Sequence, residues 1–291
     1  MGIYKYTGEQ IFEARNSSGQ PIDIAYGHSG EEVFRRDASW TLKIMSYNIQ
    51  KWSGINSQPA MQNAIVAKYT PDIIALQELG TSQTLPSIAV NMLADYNYIN
   101  QSIHKNLIGI ASKLQLTDIT VADYAHQDPE DISRYAETRA YIKGYINIHG
   151  STVCIINTHL CYLTTSVKWQ QMMELLSIAE NEDMCIICGD FNSGEIDALS
   201  DDYIEMFKPF VDAGYNLANC SPEAGFTKTY SSLTTASSLS DLQTSPDSII
   251  VSPNLTITNV VFDTTKFQYL NGSVIDHIPV VCEVSYSPNS N

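Results

Sequence analysis

Short apolar runs recur along most of this chain, and nearly all of them stop at a polar side chain. Leu42-Lys43-Ile44-Met45-Ser46-Tyr47 alternates like a strand and ends at Asn48. Ile73-Ile74-Ala75-Leu76 is apolar throughout, which predicts a buried strand, and it ends in Gln77-Glu78. Ile108-Gly109-Ile110-Ala111 and the alternating stretch Ala140 to Ile148 predict two more strands. Val153-Cys154-Ile155-Ile156 ends in Asn157-Thr158-His159, and Cys185-Ile186-Ile187-Cys188 ends in Gly189-Asp190-Phe191-Asn192. Two later strands show the mirror order, with Asp247 before Ser248 to Val251 and Asp276-His277 before Ile278 to Val284.

Helical spacing appears at Pro59 to Tyr69, Leu85 to Leu93, Ser166 to Glu180 and from Asp201 to about Pro209. In the third of these, Trp169, Met172, Met173, Leu176 and Ala179 are expected on the inner face, as core. Residues 123–138 read as a long polar loop, and the Ser/Thr-rich stretch Thr227 to Ser245 as an exposed one. No domain boundary is visible inside 41–288.

The first residues have a different texture. Thr7-Gly8-Glu9-Gln10-Ile11 recurs as Ser18-Gly19-Gln20-Pro21-Ile22 and as Ser29-Gly30-Glu31-Glu32-Val33, spaced eleven residues apart both times. Each unit sets a turn signal before a β-branched residue. Residues 1–38 are therefore expected to form a strand–turn repeat arm, and 39–291 the main domain. Such short units are too small to stand alone, so the arm is a candidate for attachment to a larger assembly; it loosely resembles short repeats of phage tail and fibre-type proteins. A plain linker is the alternative.

Composition narrows the classes. The formal net charge is −16, of which the arm carries −2, and this argues against a wide basic surface for nucleic acid. It leaves a nucleic-acid substrate open, because metal ions can reverse the field inside a site. Mean hydropathy is −0.12, and no apolar run approaches the ~20 residues that cross a bilayer. Met1 to Tyr6 lacks the basic-then-apolar profile of a signal peptide. A soluble protein is expected, cytoplasmic or held at a virion or cell surface through the arm. Cys154, Cys185, Cys188 and Cys282 lie in strand-like runs and read as small hydrophobes, while Cys161 and Cys220 sit in loops. Cys185 and Cys188 point to opposite faces of a strand, so their C-x-x-C spacing does not predict a redox pair.

The polar strand ends are the candidate chemistry. One strand leaving the core through an Asx turn is ordinary. Here Asn48, Glu78, His159, Asp190 and Asn192 follow strands, while Asp247 and Asp276-His277 precede them. Antiparallel neighbours place the start of one strand beside the end of the next, so all of these can share one rim of a sheet pair. Turns favour Gly, Pro and Ser as readily, so a rim of Asn, Glu, His and Asp points to a site for a hard cation and an activated nucleophile.

Six motifs in order, Ser46-Tyr47-Asn48, Leu76-Gln77-Glu78, Asn157-Thr158-His159-Leu160, Gly189-Asp190-Phe191-Asn192, Asp247-Ser248-Ile249 and Asp276-His277-Ile278-Pro279-Val280, resemble the endonuclease/exonuclease/phosphatase superfamily of deoxyribonuclease I-like proteins. The resemblance covers roughly 41–286. It implies an α/β (α+β) four-layer sandwich, two packed and mostly antiparallel β-sheets flanked by helices. It also implies hydrolysis of phosphate esters with a divalent metal, usually Mg²⁺, with Mn²⁺ or Ca²⁺ as alternatives.

Carried over motif by motif, Glu78 is the principal metal ligand, with Asn48 close by and Asp276 a second metal-side acid. Asp190 activates water, and Asn192 orients it or contacts phosphate. His277 pairs with the scissile phosphate and is polarised by Asp247. His159 contacts phosphate or protonates the leaving oxygen. Arg139 stands about where relatives carry a cationic or tyrosyl phosphate contact; a surface salt bridge is the alternative. Many bacterial relatives show Arg and then Gln three residues on after the Thr-His-Leu motif, and here the pair is Lys168 and Gln171.

A nuclease-type substrate leads, followed by a phospholipid or sphingomyelin-type diester, then an inositol or sugar phosphate. No basic, aromatic-studded loop of the kind that enters a DNA groove is present, which speaks against abasic-site repair. For a lipid surface, Trp52 to Ile55 and Tyr230 are weak candidates. The competing class is a binding module that kept the fold without the chemistry; loss of a site residue would mark it, and the motif set is complete.

Overall fold

The structure is a computed structural model. It describes residues 3–7, 10–15, 24–26, 32–35, 38–49, 59–79, 93–100, 108–135, 138–193, 202–218, 220–221, 225–226, 229, 238, 242, 244–266 and 277–288. In chain order the elements are β1 (Ile3–Thr7), β2 (Gln10–Arg15), β3 (Ile24–Tyr26), β4 (Glu32–Arg35), β5 (Trp40–Asn48), α1 (Pro59–Tyr69), β6 (Ile73–Gln77), β7 (Asn97–Asn100), β8 (Gly109–Ser112) and β9 (Thr117–Asp123). There follow α2 (Pro129–Tyr135), β10 (Ala140–Ile148), β11 (Ser151–His159), α3 (Thr165–Ala179), β12 (Cys185–Asp190), α4 (Asp202–Asp212), β13 (Asn216–Leu217), β14 (Cys220–Ser221), β15 (Gly225–Phe226), β16 (Asp247–Val251), β17 (Thr256–Phe262) and β18 (Val280–Tyr286).

Two six-stranded sheets carry the domain. One has the order β13-β16-β12-β11-β10-β9 and the other β17-β18-β5-β6-β8-β7. Each is mixed: β11 and β12 are parallel in the first, β5 and β6 in the second, and the other pairings are antiparallel. The apolar runs have no polar alternation because both faces of their strands are covered. Ile44, Ala75 and Ile110 of one sheet meet Ile155, Ile186, Cys188 and Ile249 of the other between the sheets. Met45, Ile74 and Leu76 face outward under Met61 and Ile65 of α1. Ile156, Cys185 and Ile187 face outward under α3 and α4. The layers are helix, sheet, sheet, helix, the sandwich that the resemblance implies.

Cys185 and Cys188 do fall on opposite faces of β12, and five cysteines, Cys154, Cys161, Cys185, Cys188 and Cys282, are free and buried. Gly189 is dictated by packing. A Cβ there would lie 2.6 Å from the Thr158 carbonyl oxygen on the parallel neighbour β11, too close for any side chain.

Several sequence expectations are corrected. Residues 123–138 are not all loop, since Asp128 accepts the Glu130 N–H and opens helix α2 at Pro129. Trp169 and Met173 are 39% and 41% exposed, while Lys168, Gln171 and Leu175 join Met172, Leu176 and Ala179 on the buried face of α3. Lys168 and Gln171 are buried because they bond backbone groups of neighbouring segments: Lys168 donates to Asn192 O, and Gln171 accepts the Cys161 N–H and donates to His126 O. In the stretch expected as an exposed loop, Thr229, Leu242, Thr244 and Ser245 are buried, because they back onto Asp247 and Ile278. Helix α4 continues past Pro209 to Asp212. The expected helix at 85–93 and the loop tips at 52–55 and Tyr230 fall outside the described residues, apart from Leu93, which lies in a turn. In the arm, β1 pairs with β2 and β3 with β4, so the repeats at Thr7 and Ser29 each fall between paired strands; the second repeat lies outside the described residues.

Candidate active site

The sheet register gathers the polar strand ends. His159 stands opposite Asp190 across the parallel pair β11/β12, and Asp190 opposite Asp247 across β12/β16. These three form a row on the rim of the first sheet. On the second sheet, Asn48 stands opposite Gln77, the residue before Glu78. Val280 opposite Ser46 brings His277 to the same end. Each sheet thus supplies three residues, and they meet across the seam.

Asp190 is the hub. Its Oδ2 accepts the Asn48 amide at 2.8 Å and lies 3.4 Å from His159 Nε2 and 3.7 Å from His277 Nε2. Its Oδ1 accepts the backbone N–H of Asn192 at 2.9 Å. Asp247 accepts His277 Nδ1 at 2.8 Å and the Thr229 hydroxyl at 2.7 Å on the same oxygen, Oδ2. That contact fixes the ring with Nε2 turned toward Asp190. Asp190, Asp247, His159 and His277 are all at least nine-tenths buried. Glu78 is half-buried. Glu78 and Asn192 hold φ of 54° and 51°, the left-handed region that non-glycine residues seldom occupy.

Burial and neighbours set the charges. Burial pushes the Asp190 carboxyl up, but His159, His277, the Asn48 amide and the Asn192 N–H together outweigh it and hold the group below its ordinary value. Burial, joined by the Asp190 charge, raises Asp247 in spite of His277 and Thr229. The two carboxylates are driven apart, the pattern of groups with different tasks. Burial, with Arg139 and His277 adding to it, drives His159 down to about 3 against the pull of Asp190. His159 is therefore a neutral imidazole at pH 7.

One ligating atom each from Glu78, His159 and Asp190 lies within 4.8 Å of the others, and the same holds for Asp190, Asp247 and His277. The first set suits a divalent cation: two carboxylates and an uncharged imidazole, one of the carboxylates half-open to solvent. Asp276 lies outside the described residues.

Arg139 is placed differently from the surface salt bridge weighed as its alternative. Its Nε is 3.2 Å from Asp131 Oδ2, and both side chains are buried. Asp131, with Asp128 and Cys161, forms a further acidic cluster. There the Cys161 thiol, pushed up to about 12 by burial, donates to Asp128 at 3.4 Å.

Three contributors were not among the candidate site residues, although Gln77 and Asn157 stand at the strand ends. Thr229 supports Asp247. Asn157 and Gln77 link the sheets behind the site: Asn157 Nδ2 donates to Leu76 O at 2.9 Å and Gly109 O at 2.7 Å, and Gln77 Nε2 donates to Asn157 Oδ1 at 2.7 Å. Their signal was available, since amides inside fully buried strands need partners.

The endonuclease/exonuclease/phosphatase family profile matches residues 56–257. No curated protein sequence matches significantly. Solved structures with the same fold include an endonuclease/exonuclease/phosphatase from Bacteroides vulgatus, at TM-score 0.65 and 14% identity over 85% of this chain and 100% of that one. An AP endonuclease from Archaeoglobus fulgidus is similar at TM-score 0.62 and 20% identity, over 83% of this chain and 98% of its own. A 3′ phosphatase from Neisseria, bound to a product DNA hairpin, gives the same four values. With a matched segment that covers more than half of the chain and carries Glu78, His159, Asp190 and Asp247, the chain belongs to the endonuclease/exonuclease/phosphatase family.

Proposed function

We propose that this chain is a divalent-metal-dependent phosphoesterase that hydrolyses phosphodiester, or phosphomonoester, bonds by in-line attack of water. The observation that carries the reading is the seam itself: an ionised Asp190 touched by two imidazoles, with Glu78 within ligating reach from the opposite sheet.

Glu78, Asp190 and His159, with Asn48 beside them, would hold the metal, and Asp276 is retained as a further acid. When bound, Mg²⁺, or Mn²⁺ or Ca²⁺ in its place, supplies positive charge against the phosphate oxygens. Asp190 accepts the proton of the attacking water as the new oxygen–phosphorus bond forms and the bond to the leaving oxygen breaks. His277, fixed by Asp247, presents Nε2 to the phosphate. His159 is uncharged, so it serves as a ligand or hydrogen-bond donor; the alternative that it protonates the leaving oxygen is the weaker one. Asn192 has one amide hydrogen committed to Leu160 O at 2.8 Å, so it orients water or contacts phosphate through the rest of its amide. Arg139, held by Asp131, adds positive charge near His159.

A nucleic-acid phosphate is the favoured substrate, supported by relatives of the same fold named as an AP endonuclease and as a 3′ phosphatase bound to DNA. The test is a phosphoester panel of DNA, RNA, sphingomyelin and inositol phosphates, each with Mg²⁺ and with EDTA. Metal-dependent cleavage of DNA or RNA in preference to the others is the expected result. Cleavage confined to lipid or inositol esters overturns the substrate assignment, and inertness on all four overturns the enzyme reading in favour of a binding module.

A further inference from the structure

The chain leaves β11 through Leu160-Cys161 and the parallel strand β12 through Phe191 to Ser193, side by side. The exits are stapled together: Leu160 N donates to Asp190 O at 2.9 Å, and Asn192 Nδ2 donates back to Leu160 O at 2.8 Å. The outer flank of the second exit is tied to the start of β16, through Phe191 N to Pro246 O at 2.7 Å and Ser193 Oγ to Ser245 O at 2.9 Å. Its inner flank is held from α3. Lys168, 3% exposed, donates from Nζ to the carbonyl oxygen of Asn192, the residue at φ 51°. One turn further along the same face, Gln171 accepts the Cys161 N–H at 2.8 Å and donates to His126 O at 2.8 Å. One helix therefore grips both exits. Taking an ammonium out of water to do so is rare for lysine.

We propose that Lys168, assisted by Gln171, is a positioning residue for the hydrolysis, holding the left-handed turn at Asn192 so that the Asn192 N–H stays on Asp190 Oδ1 and α3 sets the spacing of His159 and Asp190. This rests on the phosphoesterase reading. The lever is short, because the carbonyl that Lys168 grips and the N–H that meets Asp190 at 2.9 Å belong to the same residue. Without the ammonium the turn relaxes out of the left-handed region and that N–H swings away, freeing the carboxylate to rotate against His159.

The experiment compares Lys168→Met, Lys168→Arg and Leu175→Ala. Leu175 lies on the same helix, fully buried in the apolar layer beneath it, and controls for lost helix packing. The readouts are kcat and KM on bis-p-nitrophenyl phosphate with Mg²⁺, and the His159 imidazole NMR signal of the metal-free protein. Lys168→Met is expected to lower kcat about 10²-fold with KM nearly unchanged and to displace the His159 signal. Lys168→Arg recovers most of the rate, and Leu175→Ala leaves both readouts near wild type while lowering Tm. The proposal is overturned if Lys168→Met leaves both readouts in place, if Arg is no better than Met, or if Leu175→Ala reproduces the effects. Should Lys168→Met fail to fold, Gln171→Met takes its place with the same expectations. A wild type inert on every ester removes the enzyme reading alone, and the His159 signal then decides the clamp.

Discussion

Replacing Asn157 with leucine tests whether the two halves of the site are registered by a buried polar link. Asn157 is fully buried and makes three hydrogen bonds to the other sheet. Leu76 and Gly109, whose carbonyls it bridges, are cross-strand partners at the end of the β6–β8 ladder. Leucine has about the same volume, so little cavity opens, but three buried groups lose their partner. At ~2 kcal/mol each, less ~2–3 kcal/mol returned by burying leucine, the net loss is about 3–4 kcal/mol. That is a large part of the ~5–15 kcal/mol typical of a folded domain. Gln77 adds a second reading. Its Oε1 is buried with no hydrogen-bond partner among the described residues, so Gln77→Leu removes one unsatisfied atom while it creates another and is expected to be nearly neutral. In the Asn157→Leu background it also removes the stranded Nε2 donor. The double variant is therefore more stable than the sum of the single effects by about 1–2 kcal/mol. Urea denaturation followed by circular dichroism measures all four proteins, with m unchanged. An Asn157→Leu cost below ~1 kcal/mol, or strict additivity with Gln77→Leu, refutes the idea that this link carries the registry.

Asp247→Asn, which keeps the Thr229 contact but removes the charge beside His277, lowers kcat by about 10²- to 10⁴-fold with the fold intact by circular dichroism; a loss under tenfold denies Asp247 its role. Gly189→Ala sets a Cβ 2.6 Å from Thr158 O and costs about 1–3 kcal/mol, read as a lower Tm; an unchanged Tm means that β11 and β12 can part at no cost. In the metal-free protein, the folded His159 value of about 3 lies below the unfolded 6.5. Its contribution is complete above pH 6.5 and drains away at ~1.4 kcal/mol per unit as pH falls toward 3. Asp247, raised in the fold, opposes this trend as it takes up its proton. Urea titrations at pH 7.5 and 5.5 should show the loss in wild type and its absence in His159→Asn; equal slopes in the two proteins exclude His159 as the cause. Excess Mg²⁺ should raise Tm by mass action, and Glu78→Gln should abolish that rise; a full rise in the variant places the cation elsewhere.

Much of the architecture was legible because the central strands are uninterrupted apolar runs, and runs covered on both faces leave a strong signal. The spans at Pro59–Tyr69 and Ala140–Ile148 coincide with the observed elements to the residue. The misses have physical causes. The edge strands β7 and β9 carry weak apolar patterns, and most of β9 is exposed. The orientation of α3 was misread because Trp169 and Met173 were weighed by hydrophobicity, while the burial of Lys168 and Gln171 is decided by backbone groups three-dimensionally adjacent and remote in sequence. Strand ends named Asn48, Glu78, His159, Asp190, Asn192, Asp247 and His277 as one cluster, because strand direction alone fixes which ends share a rim. Which of them touch was not legible in the strand pattern. The contact of His277 with Asp247, expected only through the family resemblance, and that of Asn48 with Asp190 cross between sheets, and no spacing within a strand encodes the offset of one sheet upon another. Thr229 was hidden for a related reason: it sits in a Ser/Thr-rich stretch that resembles solvent-exposed loop, and only the fold lays it against Asp247.

The central claim is that Asp190 stands at the hub of a metal-dependent hydrolytic site. Its most direct test is the rate of p-nitrophenol release from bis-p-nitrophenyl phosphate by wild type and by Asp190→Ala, each with Mg²⁺ or Mn²⁺ and again with EDTA. The account predicts turnover by wild type that EDTA stops and added metal restores, with Asp190→Ala folded yet reduced by at least ~10²-fold. Equal rates for the two proteins, or a wild-type rate indifferent to EDTA, would contradict it.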